Sequence, residues 1–166
     1  MKEYVNWAIL APGRIAVKMA EAMNGIKNGK LETIDGRKIR LYAVASRNLE
    51  RAKDFAKKWH FEKAYGSYQE LIDDPEVEAI YNPLPNTMHH EWTIKALKAK
   101  KHVLCEKPLA PTAKEAQEMF DAAKENGVYL MEAFAYQHSP YLEAIEEEIK
   151  NGVIGDIRYM EAALIT

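Results

Sequence analysis

The sequence predicts an α/β fold with a doubly wound parallel sheet, and two observations carry that prediction. Short apolar runs alternate along the 166 residues with longer segments in which apolar residues recur at helical spacing. The runs are largely apolar rather than alternately apolar and polar, which is typical of strands that helices cover on both faces. Because crossovers between parallel strands are right-handed, this alternation is expected to place helices on both sides of one sheet.

Each predicted strand is a mostly apolar run, and turn-forming residues or helix caps separate the runs from the helices. We predict strands at residues 5–10, 41–45, 77–81, 102–105 and 128–131. Helices are predicted from residue 14 to a stop at Gly25, at residues 49–59, 91–100 and 142–150, and after the Ser67/Glu70 and Thr112/Glu115 capping boxes. Ser46 and Asn48 are alternative caps for the helix at residues 49–59.

Composition and charge exclude several classes of protein. Lys and Arg number 23 and Asp and Glu 25, which leaves a net charge of −2 and no basic surface for nucleic acid. No window reaches the ~20 apolar residues of a membrane span, and the first residues lack the apolar stretch of a signal peptide. The single cysteine, Cys105, excludes an internal disulfide and fits a reducing compartment. We therefore expect a cytoplasmic protein that contacts neither nucleic acid nor membrane.

Two segments depart from the alternation of strands and helices. Between Gly25 and Arg40, an Asn-Gly and an Asp-Gly pair flank Thr33 and Ile34, which favours a small polar hairpin inserted at the surface. Residues 157–165 alternate like an antiparallel strand with one wet face. We expect this strand to belong to a second domain and to pair with a neighbouring molecule, since an unpaired strand readily associates.

The first strand-to-helix turn partly matches a dinucleotide-binding fingerprint. The pattern G-x-G-x-x-G/A fits the segment from Ala11 to Ala16, with Ala11 in the first glycine position. Gly13 would let the backbone approach a pyrophosphate, which the N–H groups of the helix N-terminus would bind. A tight turn without any ligand explains this motif alone about equally well.

The turn after the second strand indicates which dinucleotide is bound. An NAD site carries Asp or Glu there to bind the ribose, whereas this sequence has Ser46 and Arg47. A guanidinium matches a 2′-phosphate in charge and geometry, so we predict NADP as cofactor, with NAD as the alternative. The competing interpretation is that Arg47 is solvated and Ser46 is only a cap.

Two later turns should also reach the carboxyl edge of the sheet, where ligands of such folds bind. Asn86 follows a strand and two prolines, and is either a site residue or a helix cap. Glu106 and Lys107 follow another strand, and one of them can face the crevice, since adjacent side chains of an extended segment point apart. A lysine there could exchange a proton with a carbinol or carbonyl oxygen, and Pro108 allows a cis peptide that would aim it. An ordinary strand exit is the alternative.

A metal site is not expected around His89, His90 and Glu91. The zinc-binding pattern H-E-x-x-H requires a second histidine one helical turn further along. Ile94 occupies the corresponding position.

Taken together, these segments resemble the Gfo/Idh/MocA oxidoreductases. The likeness lies in WAILAPGRIA, YAVASRNLERAKDFA, IYNPLPNTMHHEWTIKALKAKKHVLCEKPLA and MEAFAYQHSPYLEAIEEEIKNGVIGDIRYMEA, which cover nearly the whole chain. The resemblance implies an N-terminal Rossmann domain that binds NAD or NADP, predicted at residues 1–135. Residues 136–166 would be a connecting helix and the first strand of a C-terminal α/β domain. In the family, that domain builds the substrate site and usually the oligomer interface.

The resemblance also implies a role for each candidate residue. Lys107 would be the catalytic residue and would handle a proton near the hydride-accepting carbon. The cofactor contacts would be Gly13, Arg14 and Ile15 at the pyrophosphate, Ser46 and Arg47 at the adenosine ribose, Leu84, Asn86 and His89 at the nicotinamide ribose, Glu106 beside the nicotinamide, and Tyr136 in a further segment. That further segment usually reads Tyr-Arg, whereas Gln137 follows here.

Three functions are compatible with these features. The leading hypothesis is the cofactor-binding half of an NADP(H)-dependent oxidoreductase. It would act on a carbinol or carbonyl of a small sugar or polyol and form a homo-oligomer. The alternative is a dinucleotide-sensing or regulatory module without catalysis, and Lys107 favours the enzyme because a sensor needs no proton relay. A third possibility is an interaction domain whose crevice stays empty.

Overall fold

The computed structural model describes residues 3–25 and 38–163. The chain divides into two compact units, Met1–Ala133 and Phe134–Thr166. The hairpin predicted between Gly25 and Arg40 falls almost wholly outside the described residues. Within the described ranges, no helix combines the length and the hydropathy that crossing a bilayer requires.

The first unit is built on one parallel sheet. Its strands are β1 Tyr4–Ile9, β2 Lys38–Ala45, β3 Lys63–Tyr65, β4 Ala79–Asn82, β5 His102–Cys105 and β6 Leu130–Glu132. Its helices are α1 Arg14–Gly25, α2 Leu49–Trp59, α3 Tyr68–Asp73, α4 His89–Lys98 and α5 Ala113–Asn126. Every pair of neighbouring strands is parallel, which confirms the predicted fold class.

The strand order is β3-β2-β1-β4-β5-β6. The chain therefore builds outward from β1 in one direction and then returns to build from β1 in the other. The loops after β1 and β4 diverge at this reversal, which leaves a crevice at the carboxyl edge of the sheet. This topology places the ligand site before any side chain is considered.

Two apolar clusters bury the two faces of the sheet. Ile9 and Tyr81 lie in one cluster and Leu10 and Ile80 in the other, because successive side chains of a strand point to opposite faces. Helices α1 and α2 contribute Ala16, Ala20, Met23, Ala52, Phe55 and Ala56 to the first cluster. Helices α3, α4 and α5 contribute Leu71, Ile72, Ala96, Leu97, Met119 and Ala122 to the second. The strands are thus covered on both sides, as their apolar runs predict.

Side-chain caps begin three of the helices where the sequence predicts them. The Oδ1 atom of Asn48 accepts from the N–H of Arg51 at 3.2 Å, so Asn48 rather than Ser46 caps α2. The hydroxyl of Ser67 caps α3 and that of Thr112 caps α5, each accepting the N–H of the residue three positions on. These bonds pair N–H groups that the first turn of a helix otherwise leaves without acceptors.

The second unit contains helix α6, Pro140–Lys150, preceded by a short 3-10 helix at Ala135–His138. Of the strand predicted at residues 157–165, the structure describes residues 157–163, and these form no strand. Alternation assigns side chains to two faces, but a strand forms only where another strand accepts its backbone hydrogen bonds. The described part of this unit offers the segment no such partner.

A buried carboxylate joins β2, β3 and the end of α3. The Oδ2 atom of Asp74 accepts from the hydroxyls of Tyr42 at 3.2 Å and Tyr65 at 2.5 Å, and from the ammonium of Lys63 at 3.0 Å. Its Oδ1 atom accepts the N–H of Glu76 at 2.9 Å. Burial acts to raise the pKa of Asp74, but these hydrogen bonds outweigh it and hold the pKa at about 2. The carboxylate therefore stabilises the fold while it is ionised.

We expect Asp74→Asn to lower the free energy of unfolding at pH 7 by about 2 kcal/mol. The pKa in the folded state lies below the unfolded value, so this stability is fully present above about pH 4 to 5. It is lost as the pH falls toward about 2. Urea unfolding from pH 7 to pH 3 measures the difference between the two proteins.

Asp73→Asn is the matched control, because Asp73 is exposed on the same helix and should change stability by less than about 0.5 kcal/mol. A deficit in Asp74→Asn that stays constant over this pH range would contradict the assignment.

Candidate cofactor site

The loop after β1 forms a tight turn that leads into α1. The N–H of Gly13 donates to the carbonyl of Ala11 at 3.0 Å, and the carbonyl of Gly13 accepts from Val17 at 3.3 Å. A Cβ atom built on Gly13 meets no heavy atom of the described residues within 4 Å, and its φ is not in the left-handed region. Neither packing among these residues nor the backbone conformation requires glycine at this position. The open space in front of Gly13 suits a phosphate approaching the N-terminus of α1.

The first turn of α1 has two exposed residues followed by a buried one. Arg14 and Ile15 are exposed at the first turn of α1. Ala16 is fully buried in the apolar cluster, where its small side chain permits close packing of the helix on the sheet. The turn therefore has the local features that the fingerprint predicts.

The loop after β2 presents one buried and one exposed candidate. Ser46 is buried, its N–H donates to the carbonyl of Tyr65 at 3.0 Å, and its hydroxyl accepts the N–H of Asn48 at 3.2 Å. Arg47 is exposed and makes no hydrogen bond or ion pair with any residue of the described ranges. Its guanidinium is therefore available to an external anion, as far as the described part of the chain is concerned.

The loop after β4 is held by a buried amide. Asn82 is fully buried, its Nδ2 donates to the hydroxyl of Thr93 at 3.0 Å, and its Oδ1 accepts the N–H of Leu84 at 3.2 Å. Leu84 itself packs in the apolar core. Asn86 is exposed and caps nothing, since Pro85 and Met88 hold the N-cap positions and make no side-chain capping bond. The interpretation of Asn86 as a helix cap is therefore wrong.

His89 begins α4 and is fully buried. Its Nδ1 atom lies 2.9 Å from the carbonyl oxygen of Pro108, and its Nε2 atom lies 2.7 Å from that of Leu84. Both ring nitrogens face carbonyl oxygens of the protein, so the ring keeps no polar atom for a ligand. The structure thus places His89 behind the loops, although the predicted role was a contact with the cofactor.

The loop after β5 carries Glu106 and Lys107. One oxygen of Glu106 accepts the hydroxyl of Tyr81 at 2.6 Å, and the other accepts the N–H of Lys107 at 3.2 Å. Burial, together with the nearby carboxylate, raises the pKa of Tyr81, so the phenol stays protonated and donates. The amine of Lys107 is exposed and pairs with no acid of the described residues. The Lys107–Pro108 peptide is cis, the isomer that the sequence left open.

Tyr136 lies in the second unit, on the 3-10 helix. Its ring is exposed and packs edge-on against Phe134, with ring centroids 5.4 Å apart. Its role toward a cofactor stays a prediction.

Sequence reasoning missed three residues that shape this edge. They are Tyr81, which orients Glu106; Asn82, which holds the loop after β4; and Glu132, whose Oε1 accepts the N–H of Leu109 at 2.7 Å. The available signal was their position, since Tyr81 and Asn82 end β4 and Glu132 ends β6 at the carboxyl edge of the parallel sheet. Among the described residues, no group of three or more His, Cys, Asp or Glu side chains could hold a metal ion.

The strand order, the crevice at its reversal and the open glycine turn together define a dinucleotide-binding Rossmann domain. Comparison with known families agrees with this class. The model of the oxidoreductase family with an NAD-binding Rossmann fold matches residues 5–134. The chain therefore belongs to the Gfo/Idh/MocA oxidoreductase family, whose cofactor is a nicotinamide dinucleotide.

Three named proteins are similar to this chain over most of its length. Trans-1,2-dihydrobenzene-1,2-diol dehydrogenase of Mus musculus is 37% identical over 158 residues, which are 95% of this chain and 45% of that protein. The crystal structure of the 3-ketoreductase KijD10 from Actinomadura kijaniata, in complex with NADP, has a TM-score of 0.80 at 34% identity, covering 93% of this chain and 46% of that one. Levoglucosan dehydrogenase in complex with NADH and levoglucosan has a TM-score of 0.82 at 29% identity, covering 92% and 40%. The chain thus spans less than half the length of these relatives.

We expect Gly13→Ala to weaken NADPH binding about tenfold or more, because a Cβ would occupy the approach to the pyrophosphate. The fold should be as stable as the wild type, or up to about 1 kcal/mol more stable, since the new methyl group meets nothing and restricts the unfolded chain. Thermal unfolding and a fluorescence titration with NADPH measure the two effects.

Gly25→Ala is the matched control, because a Cβ at Gly25, at the far end of α1, likewise meets no heavy atom of residues 3–25 and 38–163 within 4 Å. Equal NADPH affinities in the two variants would contradict the assignment of Gly13 to the pyrophosphate site.

Proposed function

We propose that this chain forms the cofactor-binding part of an NADP(H)-dependent oxidoreductase that interconverts a carbinol and a carbonyl in a small sugar, polyol or diol. The observation that carries the proposal is the exposed amine of Lys107. It follows β5 at the same edge of the sheet as the Gly13 turn, and it makes no ion pair with the described residues. An uncommitted amine beside a dinucleotide crevice is available for proton transfer.

The residues of the carboxyl edge fit an NADP molecule. Gly13, Arg14 and Ile15 would bind the pyrophosphate at the first turn of α1. Ser46 and Arg47 would bind the adenosine ribose and its 2′-phosphate, for which the exposed guanidinium has the matching charge. Leu84, Asn86, Glu106 and Tyr136 complete the proposed cofactor contacts, Leu84 through its apolar side chain.

Lys107 would handle the proton of the reaction. A bound nicotinamide would supply the hydride chemistry of the reaction, which links the carbinol carbon to the carbonyl carbon. In the oxidation, the neutral amine of Lys107 takes the hydroxyl proton as the C–O bond becomes a carbonyl. In the reduction, its ammonium returns that proton to the oxygen. Glu106, held by Tyr81, keeps its carboxylate off the Lys107 amine and leaves that amine free.

The names of the relatives support the substrate class. A diol dehydrogenase, a levoglucosan dehydrogenase and a 3-ketoreductase each act on a carbinol or ketone by name. The same chemistry is therefore proposed for this protein.

We also propose that the protein is a cytoplasmic homo-oligomer. Large apolar side chains of the second unit are exposed, which supports burial against another copy; they include Tyr141, Val153, Ile154, Tyr159 and Met160. The single cysteine is a buried free thiol, which agrees with a reducing compartment.

We expect Arg47→Glu to weaken NADPH binding by roughly ten- to a hundredfold, since it replaces a cation with an anion beside the 2′-phosphate. NADH lacks that phosphate, so its affinity should stay within about threefold of the wild-type value or rise. Fluorescence titrations with NADPH and with NADH at fixed ionic strength give the ratio of the two dissociation constants.

Arg51→Glu is the matched control, since Arg51 is exposed on α2 one turn further along. The preference for NADP is wrong if Arg47→Glu weakens both cofactors equally or neither.

Lys107→Met should reduce turnover by about a hundredfold or more, because the variant has no group to accept or donate the proton. NADPH affinity should change little, since the methionine keeps the length of the side chain. The assay uses the longest natural form of the protein with a panel of diols and sugars. Lys114→Met, which alters an exposed lysine of α5, should retain full turnover. Full activity in Lys107→Met would contradict the assignment of Lys107 as the proton-transfer residue.

A further inference from the structure

We propose that His89 is a positioning residue for Lys107. Its buried ring ties the loop after β4 to the loop after β5, and so fixes the backbone from which the Lys107 side chain projects. The inference rests on the proposed role of Lys107 in proton transfer.

The ring of His89 faces backbone carbonyls in two different loops. The carbonyl of Leu84, 2.7 Å from Nε2, lies in the loop that leads from β4 to Asn86. The carbonyl of Pro108, 2.9 Å from Nδ1, belongs to the residue directly after Lys107. Since carbonyl oxygens only accept, each contact is a hydrogen bond when the facing nitrogen carries a proton. A neutral ring carries one N–H and donates to only one of the two carbonyls. We assign the proton to Nδ1, whose bond to Pro108 ties the Lys107 loop to His89, the first residue after the loop that follows β4.

Other side chains hold the backbone on either side of Lys107. The N–H of Lys107 donates to Glu106, which Tyr81 orients, and the N–H of Leu109 donates to Glu132 at 2.7 Å. The carbonyl of Pro108 lies between these two bonds and faces His89. With its proton on Nδ1, His89 holds this carbonyl, and loss of the ring frees it.

The position of His89 separates this role from direct contact with a ligand. The ring is fully buried beneath the loops, and both nitrogens face the protein. A substitution should therefore act on the Lys107 loop first and on cofactor affinity only weakly. A merely structural histidine would instead lower the stability of the whole domain evenly.

The first experiment measures amide hydrogen exchange in the 166-residue chain with His89→Leu and His89→Gln. We expect the Lys107 and Leu109 amides of His89→Leu to exchange about tenfold or more faster, beyond any change at Ile9 and Val44 in the central strands. His89→Gln keeps one N–H donor and should restore part of the protection.

Thr93→Val is the matched control. Thr93 is also fully buried on α4 and binds Asn82, but it does not contact the Pro108 carbonyl. It should destabilise the domain without selective exchange at Lys107 and Leu109. Uniform acceleration in His89→Leu, equal to that in Thr93→Val, would overturn the proposal.

The second experiment follows the amine itself. Acetylation of Lys107, measured by peptide mass spectrometry against Lys114 as an internal reference, should slow severalfold when NADPH binds the wild-type chain. In His89→Leu we expect this protection to disappear while the NADPH dissociation constant changes less than about threefold. Protection that persists in His89→Leu would show that His89 does not position the amine.

The two hypotheses fail in different ways. A wild-type chain that binds no NADPH would contradict the proposed function, while the exchange data would still decide whether His89 holds the loops. If His89→Leu does not fold, the inference is tested by amide exchange in His89→Gln and by exchange of the His89 ring N–H in the wild type. A ring N–H of His89 that exchanges as fast as that of a solvent-exposed histidine would overturn the inference.

Discussion

The site depends on strand β1 pairing in parallel with β2 on one side and β4 on the other. Ile9 faces Val44 across the first ladder and Tyr81 across the second, and the N–H of Leu10 continues the second ladder to the carbonyl of Tyr81. Because the sheet grows from β1 in two opposite directions, the loops after β1 and β4 diverge where the ladders end. The crevice exists for that reason, and the apolar clusters on both faces keep it in place.

Polar groups buried at this edge then determine how the loops are held. Asn82, Thr93 and His89 form a connected set between β4, β5 and α4, and all three are fully buried. Asn82 joins β4 to Thr93 and His89 of α4, and its Oδ1 also accepts the N–H of Leu84 in the loop after β4. The ring of His89 faces the carbonyls of Leu84 and Pro108 in the two loops. Packing of Leu84 and Leu109 in the apolar core and these polar contacts together hold the two loops.

Much of this arrangement could be predicted from the sequence because its signals are local. The apolar runs, the caps at Ser67 and Thr112, and the turn at Gly13 each depend on residues a few positions apart. The geometry around His89 and Glu106 could not be predicted, because their contacts join residues 19 and 25 positions apart. Strand β3 was missed because three residues with a lysine among them carry no apolar run, and only its pairing with β2 makes it a strand. The strand predicted at residues 157–165 is the opposite case. Its alternating pattern is present, but the described residues 157–163 form no strand, because an alternating pattern does not provide a neighbouring strand to bond with.

Cys105 adds a practical property to the domain. The thiol lies at the end of β5, fully buried, and burial raises its pKa to about 12. A neutral thiol without solvent access reacts slowly with alkylating agents and oxidants. The thiol becomes accessible when β5 separates from its neighbours. The rate at which a thiol reagent modifies Cys105 therefore measures how often this part of the sheet opens, and no label has to be attached beforehand.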